Sequence, residues 1–235
     1  MERATVRLAF ADPPYNMGVD YGDGFDDARP DDAYLAWSLE WMRQVRGVLT
    51  PDGSLWLLIP HEWAARLEIA AVGLGFHIHQ RIVWYESFGV NCTTKFNRCS
   101  RMLLWFTNHK SERVFNPDAV RRRSDRQELY NDKRANPAGK LWDDVWGVNP
   151  PIPRLTGTCA ERVKGFPTQL PLRLLRPIVG CASDPGDLVV DPFSGSGTTG
   201  VACHELNRNF IGIDRSARFC RLADSRLSSL TPMLF

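Results

Sequence analysis

Apolar positions along the chain change period several times, and each change predicts an element. The run VRLAFA (6–11) reads as a β-strand, and the Gly- and Asp-rich stretch after it, MGVDYGDGFDDARPDD (17–32), as a loop. In DAYLAWSLEWMRQVRGVL (32–49), Leu35, Leu39, Met42, Val45 and Leu49 fall at helical spacing, and Thr50-Pro51-Asp52-Gly53 predicts the turn that stops the helix. SLWLLI (54–59) predicts a strand and residues 61–74 a second helix, ended by the glycines of GLGF. RIVWYE (81–86) and RMLLWF (101–106) predict two more strands, joined by a Gly-, Asn- and Thr-rich connection. Alternation of this kind predicts an α/β fold on a mostly parallel sheet with helices on both faces.

From Thr107 to about Gly165 the pattern breaks. This stretch is polar, basic and punctuated by prolines and tryptophans, among them Trp142, Trp146 and the run NPPIPR (149–154), and reads as an insertion with little regular structure. Order resumes with PTQLPLRLLRPIVGCA (167–182), a helix with the apolar stripe Leu172, Leu175 and Val179. DLVVDPFSGSGTTGVACHELNRNFIGID (187–214) then predicts a strand, a Gly-rich turn, a helix and a strand, and residues 216–227 a closing helix.

At 235 residues, 43% of them hydrophobic, the chain is long enough to bury one core carrying an elaborate insertion. Its longest apolar runs, such as LWLLI (55–59), are far too short to cross a bilayer, and MERATVRLAF reads as a strand rather than a signal peptide, so the expected location is cytoplasmic. The six cysteines form no C-x-x-C pair and no metal-ligand spacing, which predicts free thiols and no zinc. The five histidines make no recognisable triad with Ser or Cys. The net charge of +2 hides an asymmetry: residues 1–94 carry seven Arg against thirteen acids, and residues 95–140 twelve Lys or Arg against five. The cluster RRRSDR (121–126) lies within that basic stretch, which makes it the candidate surface for a polyanion.

Two short motifs carry the candidate chemistry. In FADPPYN (10–16) an apolar strand ends on an acid, two prolines and a tyrosine, and neither proline can donate to a β ladder. The prolines stop the strand and stiffen the turn that holds Asp12 and Tyr15 at its C-terminal edge, where ligands sit in α/β sheets. In VVDPFSGSGTT (189–199) a strand meets Asp191, then Gly195 and Gly197, then a helix N-terminus, so a ligand can approach the backbone closely. The turn holds no lysine and therefore is not a P-loop. The next strand ends in Asp214, an acid placed to suit the two hydroxyls of a ribose. Together these predict a nucleoside ligand without a phosphate chain.

DPPY (12–15) and DPFSGSGTT (191–199), in that order, resemble the catalytic and cofactor motifs of the S-adenosylmethionine-dependent amino-methyltransferases of DNA, in their β-class arrangement. KGFPTQLP (164–171) resembles the family's HPTQKP segment, and NRNFIGIDRSARFCRLADSRL (207–227) its GR-x-FIGIE continuation. The likeness covers nearly the whole chain and is weakest over 107–160. It implies a Rossmann-like methyltransferase fold with circularly permuted motif order. Residues 1–106 and 165–235 would form the catalytic and cofactor-binding domain, and residues 107–164 an inserted target-recognition region.

By the same resemblance, Asp12, Pro13, Pro14 and Tyr15 are the catalytic residues. Asp191, Pro192, Phe193, Ser194, Gly195, Ser196, Gly197, Thr198, Asp214, Thr168 and Gln169 would hold S-adenosylmethionine, with no metal. The exocyclic amino group of adenine or cytosine is a poor nucleophile because its lone pair is delocalised into the ring. Hydrogen bonds from its N–H groups to the Asp12 carboxylate and the Pro13 carbonyl would pull the nitrogen toward tetrahedral geometry, and the Tyr15 ring would stack on a base taken out of the duplex. DPPY accompanies N6-adenine methylation more often than N4-cytosine methylation, so adenine is the expected target. The alternatives are cytosine N4 and a non-catalytic DNA-binding relative. Arg121, Arg122, Arg123, Arg126, Lys133, Arg134 and Lys140 are the candidate contacts to double-stranded DNA. A homodimer and a cognate restriction enzyme are the further partners that the resemblance allows.

The sequence departs from the family at two places. Its G-D-x-L-x-x-L segment, whose acid contacts the cofactor's adenine, does not stand before Asp12 in this sequence, so the expectation is that another residue, a partner or a further N-terminal segment covers that ring, or that the enzyme is weak. Leu170 stands where the family has Lys after PTQ.

Overall fold

Strand β1 (Val6–Ala11) is hydrophobic on both faces, as a strand enclosed between two helix layers must be. In the computed structural model, which describes residues 4–22, 24–86 and 92–230, it lies inside a seven-stranded sheet of order β7-β3-β4-β2-β1-β8-β9. β2 (Leu49–Ile59) and β8 (Leu188–Asp191) flank β1 in parallel, and β9 (Asn209–Gly212) extends the sheet beyond β8, also in parallel. On the far side of β2, β4 (Ser100–Thr107) runs antiparallel to both β2 and β3 (His77–Tyr85). The predicted strands at 81–86 and 101–106 are thus paired, and β3 begins earlier, at His77. Residues 87–91 of their connection lie outside the described residues.

The turn expected at 50–53 is instead a bulge within β2. Val6 pairs with Leu49 and Leu8 with Ser54, so the residues between Leu49 and Ser54 are absorbed against one residue of β1. Gly53 is needed there: a Cβ would lie 3.0 Å from the Val6 carbonyl oxygen.

Two helix layers cover the sheet. α1 (Asp31–Val48) and α2 (His61–Gly73) pack on the face carrying Ala9, Ala11, Leu55, Leu57, Leu104 and Phe106. α4 (Leu172–Ala182) and α5 (Thr198–Glu205) pack on the other, against Leu8, Phe10, Trp56, Leu58 and Leu103. The chain leaves β1 through α1 to reach β2, and leaves β8 through α5 to reach β9, in opposite directions and on opposite faces. This is the arrangement that right-handed crossovers require. The closing helix α6 (Ala217–Ser228) buries Phe219 and Ala223. The face buried by α1 is Tyr34, Ser38, Met42 and Val45; Leu35 and Leu39 of the expected stripe are half-buried.

The middle segment is tied to this core. A 3₁₀ turn (Pro117–Val120) leads into the two-residue strand β5 (Arg121–Arg122), which pairs with β6 (Lys140–Leu141), and between them α3 (Asp125–Glu128) starts at a Ser124/Gln127 capping box. β7 (Val145–Trp146) joins the main sheet beside β3. Val120, Trp146 and Ile152 are buried in the core, Trp142 packs against it, and the Trp84 indole donates to the Ile152 carbonyl at 2.9 Å. All six cysteines are free, and no helix among the described residues is long and apolar enough to cross a membrane.

Leu57 is fully buried and lies opposite both Ala11 and Leu104, at the junction of the parallel and antiparallel parts of the sheet. Leu57→Ala is expected to cost about 2–5 kcal/mol in the urea unfolding free energy, with an unchanged slope.

Candidate active site

The turn after β1 is rigid because several elements hold it. Tyr34 of α1 donates its hydroxyl to the Pro14 carbonyl at 2.7 Å, whereas the carbonyl of Pro13 accepts no hydrogen bond among the described residues. The Asn16 side chain exchanges hydrogen bonds with the Arg29 backbone at 2.7 and 2.8 Å. Asp27, buried to 4% exposure, accepts from the backbone N–H groups of Asn16, Met17 and Val19. The loop that the sequence marks as Gly- and Asp-rich is therefore organised around one buried acid.

Within the turn the Tyr15 hydroxyl donates to the Asp12 carboxylate. Arg101 of β4 donates to the same hydroxyl at 3.1 Å and, from Nε, to Glu86 at 3.0 Å. Burial pushes the Asp12 carboxyl up to about 6, against the pull of the Arg101 charge and the Tyr15 hydrogen bond. Burial likewise holds the Tyr15 phenol well above its usual value.

The Gly-rich turn after β8 forms the opposite wall. Asp191 accepts from the Phe193 N–H at 2.9 Å and from the Thr199 hydroxyl at 2.6 Å, which braces the turn from inside, and burial pushes it up to about 7. Asp214, just past β9, accepts from the backbone N–H of Gly195 at 3.0 Å and of Ser216 at 2.8 Å. Arg226 of α6 reaches the Ser196 carbonyl and the Thr198 hydroxyl, both at 3.0 Å. Gly195 has φ +50° and sits under the Phe166 ring, where a Cβ would come within 2.5 Å of it; Gly197, at φ +74°, precedes α5.

The two turns enclose one cavity of about 790 Å³. It brings together Asp12, Pro13, Pro14, Tyr15, Thr168, Asp191, Pro192, Phe193, Ser194, Gly195, Ser196, Thr198 and Asp214. Gly197 and Gln169 stand behind its wall. Gly197 faces Ala223 of α6, and the buried Gln169 spends its amide on the Val163 N–H (2.6 Å) and the Glu161 carbonyl (2.8 Å). Leu170, buried in the core, lines the cavity in place of the family's Lys.

Sequence reasoning missed half of the lining. Trp37 and Phe193 approach edge-on at 5.8 Å, Phe25 packs on Trp37 at 5.6 Å, and the Arg29 guanidinium lies over Phe25 at 4.5 Å. Phe193 belongs to the DPFSGSGTT motif, but Phe25, Arg29 and Trp37 carry no motif, and α1 and the loop before it bring them in. Glu86 and Arg101 were missed for the same reason: they lie at the facing ends of β3 and β4, and only the antiparallel register sets them side by side.

Residues 6–225 match the sequence model of the N6/N4 DNA methylase family. The chain belongs to this family. It is 32% identical to the type II methyltransferase M.HpaI of Haemophilus parainfluenzae over 231 residues, covering 97% of this chain and 70% of that protein. It is also 32% identical to the DNA adenine methyltransferase YhdJ of Escherichia coli (strain K12) over 235 residues, covering 95% of this chain and 76% of YhdJ. The crystal structure of the M1.HpyAVI–SAM complex shares the fold, with a TM-score of 0.67 at 24% identity over 95% of this chain and 89% of that one. As a DNA methylase of this family the chain is an S-adenosylmethionine-dependent DNA methyltransferase, with the Rossmann-like fold and the motif order read from its sequence.

The seven basic residues of the middle segment that are candidate DNA contacts divide into two groups. Arg121 pairs with Asp118, Arg122 with Asp125 and Asp143, Arg126 and Arg134 with Asp132, and Lys140 with Asp143. Arg123 and Lys133 are exposed and have no ion pair among the described residues.

Because folding raises the Asp12 carboxyl from its usual 3.8 to about 6, its stability contribution is fully present below pH 3.8 and is lost as pH rises through about 6. Asp12→Asn keeps an acceptor for Tyr15 without the charge. The expected outcome is a higher melting temperature than wild type at pH 8 and no difference at pH 4, read by calorimetry.

Proposed function

We propose that this methyltransferase transfers the methyl group to the N6 amino group of adenine in double-stranded DNA, on a base rotated out of the helix into the cavity beside Tyr15. The observation that carries this reading is the DPPY turn itself: its acid, a Pro13 carbonyl with no hydrogen bond among the described residues and an aromatic ring share one cavity edge. The 32% identity to a relative named as an adenine methyltransferase supports the choice of base.

The cavity fits the cofactor on three counts. Its volume lies in the range of small-molecule sites. The Gly195 turn brings backbone close to the ligand, and the acid Asp214 lies beside it. The wall of Phe25, Trp37 and Phe193 offers faces for a flat heterocycle. S-adenosylmethionine, when bound, supplies an electrophilic methyl group on a positively charged sulfonium. Asp214 and the turn 191–198 would hold and orient it, with Thr168 also lining the cavity.

Asp12, as a carboxylate, and the Pro13 carbonyl accept the two N–H groups of the target amine and localise its lone pair toward the methyl group. Proline suits the second role because its ring stiffens the carbonyl's position, so little ordering remains to be done at the moment of reaction. Tyr15 stacks on the base, a contact worth about 1–3 kcal/mol. Residues 107–164 form the target-recognition region, and Arg123 and Lys133 lead its contacts to phosphate. A homodimer and a cognate restriction enzyme remain partners of this reading.

Methyl transfer from labelled S-adenosylmethionine to mixed genomic DNA, followed by mass spectrometry of the nucleosides, is expected to give N6-methyladenine. N4-methylcytosine alone would keep the mechanism and overturn the base. Asp12→Ala is expected to abolish transfer with cofactor affinity within about twofold of wild type, whereas Asp214→Ala weakens cofactor binding by about tenfold or more in calorimetry. On the DNA side, Arg123→Ala with Lys133→Ala is expected to lower the slope of log affinity against log salt by about 2, and Arg122→Ala by much less, in fluorescence-anisotropy titrations.

A further inference from the structure

Glu86 and Arg101 belong to neither sequence motif, yet both line the cavity; Glu86 is buried and Arg101 largely so, with side-chain exposures of 7% and 14%. A buried ion pair is seldom kept for stability alone, since apolar residues of the same volume do as well. The geometry of this pair is specific. Glu86 sits at the end of β3 with its backbone pinned on both sides: its N–H donates to the Cys99 carbonyl at 2.8 Å, and its carbonyl accepts from the Arg154 N–H at 3.1 Å. One carboxylate oxygen takes the Arg101 Nε–H at 3.0 Å, and the other is buried with no partner among the described residues, so within them Arg101 is the carboxylate's whole hydrogen-bonding contact. Arg101, opposite Trp84 in the register, lies with its guanidinium over the Trp84 ring at 5.5 Å and over the Tyr15 ring at 5.3 Å, and donates from Nη1 to the Tyr15 hydroxyl at 3.1 Å.

We propose that Arg101, aimed by Glu86, is a positioning residue for methyl transfer: it locks the Tyr15 ring in place to receive the base and supplies the positive charge that keeps Asp12 a carboxylate. This rests on the reading of Asp12 as the acceptor of the target amine. Two different nitrogens of one rigid plane meet two different acceptors while its face covers two rings, which a lysine ammonium cannot reproduce. The charge is needed because burial, and after it the Glu86 charge, disfavours the ionised form of Asp12. Tyr34 of α1 and Asp191 at the end of β8 lie near it, Asp214 acts on Asp191, and Glu86 itself opposes ionisation. Only Arg101 and the Tyr15 hydroxyl that Arg101 steers act in the other direction. Burial pulls the guanidinium down, but the neighbouring Tyr15, Asp12 and Glu86 more than offset this, and it stays charged throughout the working range.

Opposite shifts in two variants test the assignment. In the full chain with ¹³C-labelled aspartate, the Asp12 carboxyl is titrated by NMR in the wild type, Arg101→Met and Glu86→Gln, and the pH profile of kcat is measured on the same samples. Arg101→Met is expected to move the Asp12 midpoint and the acid limb of kcat up by about one pH unit or more, with at least tenfold lower kcat at pH 7 and cofactor KM within about twofold. Glu86→Gln removes the opposing charge and is expected to move both down. Arg101→Lys restores the midpoint but not kcat. An Asp12 midpoint unchanged in Arg101→Met, or in Glu86→Gln should Arg101→Met not fold, overturns the proposal. The titration is read on the free protein, so a wild type that methylates no adenine would count against the proposed function and leave this result readable.

Discussion

The site depends on one constraint: β1 and β8 are adjacent parallel strands that stop at nearly the same height. The register that sets Ala9 opposite Val190 places Asp191, the last residue of β8, within two positions of the end of β1. Pro13 and Pro14 cannot continue the ladder, so the chain must turn there, and the crevice opens where the connections of β1 and β8 leave in opposite directions. Every other part of the site is fastened to those two strand ends. Tyr34 holds one turn from α1; Arg226 and Asp214 hold the other from α6 and the end of β9.

Within that crevice the protein gathers more negative charge than burial favours. Asp191 and Asp214 are stabilised by backbone amides and a hydroxyl, contacts that also shape the glycine turn. Among the described residues the Asp12 carboxylate accepts from Tyr15 alone, which Arg101 braces, and burial holds its carboxyl up at about 6. An acceptor left incompletely satisfied costs stability in the free protein and is available to a ligand that brings N–H groups. The same logic distinguishes the two proline carbonyls, one tied to Tyr34 and the other without a hydrogen bond among the described residues.

The middle segment shows how a local reading of charge can mislead. RRRSDR reads as a uniform basic cluster, but interleaved acids take up most of it: Asp118, Asp125, Asp132 and Asp143 pair five of the seven candidate cations. What remains outward is Arg123 and Lys133, on a small β5–β6 and α3 unit whose base is anchored by Val120, Trp146 and Ile152 in the core. The segment is irregular in sequence yet well attached, because a few apolar residues at wide spacing are enough to dock a loop whose own hydrogen bonds are local.

The sequence alone determined the elements outside the middle segment and the chemistry that lies along a single strand end, whereas the short elements between Pro117 and Trp146 were not legible in it. DPPY and DPFSGSGTT are each contiguous, since a strand, a tight turn and its side chains occupy neighbouring positions, and their residue types follow from backbone constraints that act locally. The helical periodicities did the same for α1, α2 and α4, although the buried face of α1 is Tyr34 and Ser38 rather than Leu35 and Leu39. Tertiary structure alone decided the rest: the bulge that replaced the turn at 50–53, the aromatic wall of Phe25, Trp37 and Phe193, the withdrawal of Gln169 behind the wall, and the meeting of Glu86 and Arg101 beside Asp12. These contacts join residues far apart in the chain. Strand register and helix packing set them, and neither leaves a local pattern for the sequence to display.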